Sequence, residues 1–443
     1  MSLKPKLTRF DLSMIVIGLV VGMGIFASPP VVARNTNNIY LYFGAWLIGG
    51  IVSLCGSLTF AEIGSRYPTT GGFYKVFSYC FNPPFAFMVN WLLILSNAMS
   101  VAAIALIGGD YICPIILPAS MQNDLATKII AVLTVLILYL INLSGIKSGA
   151  RIQNLLTIFK ILLILVLCTA VFMHHTPVPV NEIFKVNQRN CISGFGISLV
   201  AVFFTFGGYQ QTINFGGDII DAKANVPKAI IQGILTVLLL YLLINIVYYC
   251  VLGINGIQNN RALAATLAGI IFGPVGYKIV SISIYLSVLA FINVNIMSNP
   301  RIYYAMAEDR ILSSKFKIMN NETQVLVFGL SVFVIVVIVV LFFVDSFQKI
   351  VNYVMLFDTI GLSTAAVSIF ILRKKTAYLN KSGIYAIKYY PIIPIIFIST
   401  YWFVSICIFI ESPMAAALAF CTFISGLIVY YISKQLHKPI SKK

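Results

Sequence analysis

Two pairs of closely spaced glycines lie in the middle of long apolar runs of the sequence. Gly22 and Gly24 fall within residues 18–26, Gly-Leu-Val-Val-Gly-Met-Gly-Ile-Phe, and Gly207 and Gly208 follow Phe-Phe-Thr-Phe. Glycine costs a helix about 1 kcal/mol relative to alanine, and backbone groups freed inside a bilayer require a polar partner. A helix broken at these points is therefore tolerable where the break lines a cavity or a binding site.

Such breaks have the chemistry to bind a small zwitterion. Amides at the start of a half-helix attract an anion, and carbonyls at the end of the other half attract a cation. The alternative is close helix packing through small residues, which we expect for Gly44, Gly49 and Gly50. Two matched breaks, five apolar segments apart, favour a site for a molecule that carries both charges, such as an amino acid.

Two ionisable side chains also lie deep inside apolar segments. Lys160 is about nine residues into the fifth segment and Asp358 about nine into the tenth. Charged residues at membrane depth usually mark functional sites, and nine residues correspond to about 13 Å, which is a long reach for a snorkelling lysine. Asp358 could be a proton site or a partner for a helix end or a hydroxyl group, and the sequence leaves this open.

The composition is that of a membrane protein. The 443 residues are 60% hydrophobic and 10% charged, with a mean hydropathy of +0.96, which excludes the soluble globular classes. A spanning helix needs about 20 apolar residues. We expect twelve such helices, at about 12–33, 40–63, 84–110, 128–146, 151–173, 193–214, 228–253, 270–299, 324–344, 349–372, 389–410 and 413–433.

The net charge of +17 follows membrane topology and predicts no nucleic-acid partner. With the N-terminus in the cytoplasm, 22 of the 30 Lys and Arg residues fall on the cytoplasmic side and seven on the outer side, with Lys160 between them. This positive-inside bias predicts cytoplasmic termini, and the short loops indicate a bacterial cell (inner) membrane. Eight scattered cysteines and three histidines lack metal-ligand spacing, so we expect no metal and no cofactor.

The chain is expected to form one all-α transmembrane domain over residues 1–443. The two broken helices are five positions apart in the order of helices, so the second half enters the membrane from the opposite side. This predicts a five-plus-five inverted repeat with helices 1 and 6 broken. The first repeat would cover about 10–173 and the second about 193–372, with helices 11 and 12 appended at about 389–433.

Five motifs in chain order resemble those of one transporter superfamily. They are Val-Gly-Met-Gly-Ile-Phe-Ala-Ser-Pro at 21–29, Gly-Gly-Phe-Tyr at 71–74, Ser-Gly-Ala-Arg-Ile-Gln-Asn at 148–154, Asn-Val-Pro-Lys-Ala-Ile at 225–230 and Arg-Ile-Tyr-Tyr-Ala-Met-Ala at 301–307. The chain resembles the amino acid–polyamine–organocation superfamily, and within it the L-type amino acid transporters and related bacterial permeases. The resemblance implies secondary active transport by alternating access, without ATP and without enzymatic activity.

The resemblance also implies roles for residues of the two breaks. The amides of Met23, Gly24 and Ile25 would bind the substrate carboxylate, and carbonyls around Val20, Phe204 and Gly207 would accept hydrogen bonds from its amino group. The remaining substrate-binding residues on this reading are Gly22, Gly208 and Phe206, with either Phe204 or Phe206 as an aromatic lid. Lys160 would occupy the place of a sodium ion, which predicts sodium-independent transport.

Several positions depart from the superfamily pattern. Met23 replaces a small serine, Gln210 stands where acid-coupled relatives carry a glutamate, and Asn295 replaces a tryptophan that stacks on cationic substrates. Asn97 falls at a position that contributes to the pocket in relatives, although a structural asparagine is as common. We therefore expect exchange of neutral amino acids, with proton symport or exchange of cationic amino acids or polyamines as alternatives.

Two further questions stay open at this stage. Asp218 and Asp221 follow the sixth segment and could pair with Lys223 or with basic residues of the first loop to gate the inner exit, or they could be solvated loop charges. The chain could act as a monomer or as a homodimer. A channel or a membrane enzyme is disfavoured because the sequence shows neither a selectivity-filter motif nor a catalytic constellation.

Overall fold

The protein is helical along nearly all of its described length. The computed structural model describes residues 6–36, 38–69, 71–173, 191–260, 263–320, 322–343, 347–381, 384–411 and 413–436. Eight helices precede residue 174: α1 Arg9–Val20, α2 Gly24–Thr36, α3 Ile39–Arg66, α4 Gly72–Cys80, α5 Pro83–Ile116, α6 Asp124–Leu143, α7 Ile146–Cys168 and α8 Ala170–Met173.

Nine further helices make up the second half of the chain. They are α9 Cys191–Phe206, α10 Ala222–Asn259, α11 Leu263–Phe272, α12 Gly276–Ser298, α13 Pro300–Glu308, α14 Val327–Phe343, α15 Phe347–Lys375, α16 Ile392–Glu411 and α17 Pro413–Leu436. A short 3₁₀ helix, Tyr209–Asn214, continues the chain beyond α9.

Small polar residues set the starting points of several of these helices. Thr8 and Asp11 form a reciprocal capping box at α1, in which the Asp11 amide donates to the Thr8 hydroxyl and the Thr8 amide donates to the Asp11 carboxylate. Asn38, Asn82 and Asn123 accept amide hydrogen bonds at the starts of α3, α5 and α6. Each cap satisfies donors that the first turn of a helix leaves free.

The all-α membrane fold is confirmed at the level of its helices. Within the described ranges, nine helices are long and apolar enough to cross a membrane, or ten when α1 and α2, which are bent by 41° at their junction, count as one span. Helices α11 and α14 are apolar but shorter. The predicted breaks in the first and sixth apolar segments are both present, because α1 ends at Val20 and α9 ends at Phe206.

The broken helices lie at the centre of the helix packing. Helix α1 packs against α7 and α10, α2 packs along α9, and α3 packs along α10, while α12 and α15 both lie against α5. Helices α6, α16 and α17 expose many large apolar side chains, as expected for surfaces that face lipid. This arrangement places the two breaks inside the protein, next to α5, α12 and α15.

Candidate functional site

The first break exposes the start of α2 to an internal cavity. Between the last residue of α1 and Gly24, the Gly22 amide donates to the Val20 carbonyl at 2.8 Å. The first amides of a helix have no intrahelical acceptor, and those of α2 belong to Gly24 and Ile25, just after Met23. The break therefore presents backbone donors at a helix N-terminus, where an anion is favoured.

The second break depends on a glycine with positive φ. Gly208 has φ 112° and ψ −34°, and its amide donates to the Gln210 Oε1 atom at 2.9 Å. A Cβ atom at this position would lie 2.9 Å from the Leu19 carbonyl oxygen. Glycine alone adopts this conformation readily, and its missing side chain lets the Tyr209–Asn214 3₁₀ helix approach α1 closely.

The hydroxyl of Tyr241 on α10 joins the two breaks. It lies 2.7 Å from the Val20 carbonyl and 3.2 Å from the Thr205 carbonyl, so it can donate to one or both. A second link runs from the Thr205 hydroxyl to Ser28 Oγ on α2, at 2.7 Å. The Tyr241 hydroxyl thus holds the carbonyl ends of α1 and α9 together, and the Thr205–Ser28 hydrogen bond joins α9 to α2.

Replacing Tyr241 with phenylalanine is expected to loosen this junction. The change removes the hydroxyl and leaves two buried carbonyls without this donor, at about 1–3 kcal/mol for an unsatisfied buried group. We expect a lower melting temperature in detergent and a several-fold weaker apparent affinity for substrate. Tyr249→Phe, a half-buried tyrosine on the same helix, is the matched control; equal effects of both changes would contradict a specific role for Tyr241.

One cavity lies between the two breaks and the neighbouring helices. The sequence-predicted residues among those that line it are Val20, Gly22, Met23, Gly24, Asn97, Phe204, Gly207, Gly208 and Asp358. The lining also contains residues that the sequence did not single out for the site: Leu19, Ser96, Ser100, Ile104, Phe203, Thr205, Gln211, Phe291 and Val354. Gln210, noted above as a departure, also lies in the lining.

Three of the residues predicted to bind substrate lie outside this lining. Ile25 is fully buried in the core, so only its backbone is near the break. Phe206 packs against the rings of Trp46 and Tyr241, with centroid distances of 6.3 and 5.0 Å. Asn295 donates from Nδ2 to the Phe291 carbonyl one turn earlier in α12, at 3.0 Å. Of the two candidates for an aromatic lid, the structure brings Phe204 to the cavity and not Phe206.

Lys160 lies behind the first break and not in the cavity. Its side chain is 1% exposed, and Nζ donates to the carbonyls of Gly18, at 2.8 Å, and Val21. One turn earlier on α7, the Thr157 hydroxyl donates to the Met14 carbonyl at 3.2 Å. An ammonium group therefore occupies a position next to helix-end carbonyls, where a metal cation would find the same oxygen ligands.

Polar side chains extend the cavity wall away from the breaks. Gln211 donates from Nε2 to Asn97 Oδ1, and Asn97 donates from Nδ2 to Asn299 Oδ1, both at 2.9 Å. Separately, the Ser96 hydroxyl donates to Asp358 Oδ1 at 3.1 Å. Asn97 thus has two amide partners, and Asp358 is half-buried at the cavity with a hydroxyl partner.

The end of the site next to residues 6 and 7 contains a buried ion pair that the sequence did not predict. Asp218 pairs with Arg301, not with Lys223, and its backbone carbonyl accepts from the amides of Lys6 and Leu7 at 2.8 and 2.9 Å. The partners are 83 residues apart in the sequence, and charge spacing alone could not identify them.

Asp218→Asn is expected to weaken the closure of this end of the site. Removing one partner of a buried pair leaves an uncompensated charge and typically costs about 3–5 kcal/mol. We expect faster labelling of a cysteine introduced at Ser298, which lies buried beside this end of the site. The double variant Asp218→Arg with Arg301→Asp should restore slow labelling; labelling that is unchanged in Asp218→Asn would exclude a gating role.

Comparison with known proteins identifies the family. The family model for amino acid permeases matches residues 7–432. The chain belongs to the amino acid permease family. This permease is 29% identical to the serine/threonine exchanger SteT of Bacillus subtilis, over 95% of each chain. It is 24% identical to the mouse large neutral amino acids transporter small subunit 2, over 99% of this chain and 83% of the relative.

A third relative is the mouse Asc-type amino acid transporter 1, which is 22% identical over 97% of the permease and 81% of its own chain. The resemblance inferred from the five motifs is thereby confirmed. The permease is a multi-pass membrane protein of an amino acid transport family, and the cavity between the two breaks is its candidate substrate site.

Proposed function

We propose that this permease is a sodium-independent exchanger of neutral amino acids that works by alternating access. One observation carries the proposal: two helix breaks meet at one cavity, one presenting amides and the other carbonyls. A free amino acid carries an anionic and a cationic group on the same carbon, so it matches this pair of partial charges.

Each break has a defined part in binding. The amides of Met23, Gly24 and Ile25 at the start of α2 would hold the substrate carboxylate. Backbone carbonyls around Val20, Phe204 and Gly207 would accept hydrogen bonds from its ammonium group. The Phe204 ring at the cavity wall would close over the bound substrate, because it lies directly beside the second break.

Neutral side chains fit the rest of the cavity lining best. Ile104, Phe291 and Val354 provide apolar surface, and Ser100 and Asn97 provide uncharged polar groups. The relatives are described as transporters of serine and threonine or of large neutral amino acids. A polyamine would need several desolvated counter-charges, whereas Asp358 is the one acidic side chain in the described lining.

Sodium independence rests on Lys160. Its ammonium group already satisfies two carbonyls at the end of α1, so a sodium ion is not required to hold this helix end. The larger arrangement that we propose is twelve spanning helices in the cell (inner) membrane, with a five-plus-five inverted repeat and both termini in the cytoplasm. The functional unit would be a monomer or a homodimer.

Counterflow in proteoliposomes tests the proposal. Vesicles are loaded with a mixture of unlabelled amino acids in sodium-free buffer, and uptake of radiolabelled alanine, serine, leucine, glutamine or arginine is followed separately. We expect uptake of the neutral substrates that requires internal amino acid and ignores both sodium and a pH gradient. Uptake of arginine alone, or an absolute need for sodium, would contradict the proposal.

Proton symport is the second candidate, because an acidic side chain, Asp358, lines the cavity at membrane depth. This function predicts uptake into empty vesicles when an inward proton gradient is applied. It also predicts that Asp358→Asn abolishes the response to the gradient. A variant with the wild-type pH dependence would exclude Asp358 as the proton site.

A further inference from the structure

Asp358 faces the cavity from a helix that takes no part in either break. Val354 precedes it by four residues on α15, so the two side chains share one helix face, and both line the cavity. Val354 packs with Ala103 of α5 against Phe204 and Met99. The carboxylate therefore belongs to the part of the cavity wall that α5 and α15 form.

The hydrogen-bonding capacity of this carboxylate is only partly used. An ionised carboxylate accepts about four hydrogen bonds, and the described part of the chain supplies one, from Ser96 to Oδ1. Two buried cations, Lys160 and Arg301, have other partners, since Lys160 donates to backbone carbonyls and Arg301 pairs with Asp218. Among the described residues, no lysine or arginine nitrogen lies within 4.0 Å of Asp358.

In the proposed function, the two breaks bind the carboxylate and the ammonium group that all amino acids share. The cavity wall formed by α5 and α15 would then contact the substrate side chain. We propose that Asp358, positioned by Ser96, is a specificity residue that selects substrates whose side chains donate a hydrogen bond. This inference rests on the proposed function and names its substrate class: small amino acids with a hydroxyl or amino group on the β or γ atom. Such a donor supplies a further hydrogen bond to a half-buried carboxylate.

Threonine and valine provide the sharpest comparison because they are nearly isosteric. Valine places a methyl group where threonine has its hydroxyl, and a site built around a hydrogen bond rejects the analogue that leaves its polar group unpaired. We expect the wild-type permease to prefer threonine over valine by at least about tenfold as a competitor of alanine counterflow. A short cationic substrate, 2,4-diaminobutyrate, should also compete.

Two substitutions separate the charge of Asp358 from its ability to accept a hydrogen bond. Asp358→Leu removes both and should bring the threonine-to-valine preference close to one. Asp358→Asn keeps an accepting Oδ1 atom, so the threonine preference should survive and competition by 2,4-diaminobutyrate should be lost. Asp110→Asn, the same chemical change at an exposed position on α5, is the matched control and should alter neither preference.

Binding is also measured without transport, by the rise in melting temperature of the purified protein in detergent with threonine, valine or 2,4-diaminobutyrate. This assay remains informative for a variant that binds substrate but does not transport it. If Asp358→Leu does not fold, Asp358→Asn provides the test through its response to 2,4-diaminobutyrate. An unchanged threonine-to-valine ratio in a folded Asp358→Leu protein, or a wild type that accepts both equally, would overturn the role of Asp358. Loss of counterflow for every amino acid in the wild type would instead contradict the proposed function.

Discussion

Replacing Lys160 with alanine is expected to lower amino acid counterflow by at least about tenfold while the amount of folded protein in the membrane stays unchanged. The substitution removes two charge-assisted hydrogen bonds, to the carbonyls of Gly18 and Val21. Such bonds contribute about 1.5–3 kcal/mol each, and 1.4 kcal/mol corresponds to a tenfold change in an equilibrium constant. The end of α1 would lose the contact that fixes the first break.

The measurement is counterflow by proteoliposomes that contain equal amounts of each variant, with folding checked by size-exclusion chromatography. Lys278→Ala, an exposed lysine in the first turn of α12, is the control and should transport like the wild type. Counterflow by Lys160→Ala at the wild-type rate would contradict the role of Lys160. Sodium stimulation of the wild type would contradict the inference that the lysine takes the place of the ion.

The sequence predicted the features that depend on local backbone cost. A glycine pair at membrane depth weakens a helix regardless of its surroundings, and both pairs coincide with helix ends in the structure. A lysine nine residues inside an apolar run must find partners within the protein, because its reach to water is too long. The contact of Lys160 with the first break therefore follows from its depth in the apolar run together with the resemblance.

The sequence could not predict which side of a helix faces the cavity. Phe204 and Phe206 are two residues apart, about 200° around a helix, so one of them had to point away, and the pattern did not say which. Helix α10 is apolar on all sides and carries three tyrosines, at 241, 248 and 249. Nothing in its sequence distinguishes Tyr241, which bridges the breaks, from the other two.

The sequence could not predict ion pairs between distant parts of the chain either. Asp218 had a nearby lysine in the sequence, but the fold brings Arg301 to it. Arg301 belongs to one of the five motifs found in the sequence. Its partner, however, depends on how the segment after α9 packs against the end of α12. Such contacts follow from tertiary packing, and a single sequence carries little information about them.

Gly24→Ala is expected to reduce counterflow by about ten- to a hundredfold. An alanine Cβ at this position would lie 2.7 Å from Thr205 Oγ1 and 2.8 Å from Thr205 Cα. The hydroxyl can rotate away but the Cα cannot, so α2 must move from α9, at about 1–3 kcal/mol for overpacking. That movement strains the Ser28–Thr205 hydrogen bond and displaces the amides that we assign to the substrate carboxylate.

Alanine substitutions at two other glycines serve as controls that test whether the effect of Gly24→Ala comes from packing between the breaks. An alanine Cβ at Gly22 would meet its nearest atoms at 3.9 Å, which is ordinary contact, so Gly22→Ala should cost clearly less than Gly24→Ala although both lie in the break. Gly44 on α3 has nothing within 4 Å of such an atom, and Gly44→Ala should transport like the wild type. If helix weakening alone mattered, alanine would strengthen the helix at all three positions by a similar amount. Measuring counterflow and the melting temperature for all three variants decides between these explanations. Only a steric clash at Thr205 predicts that Gly24→Ala has both the lowest counterflow and the lowest melting temperature.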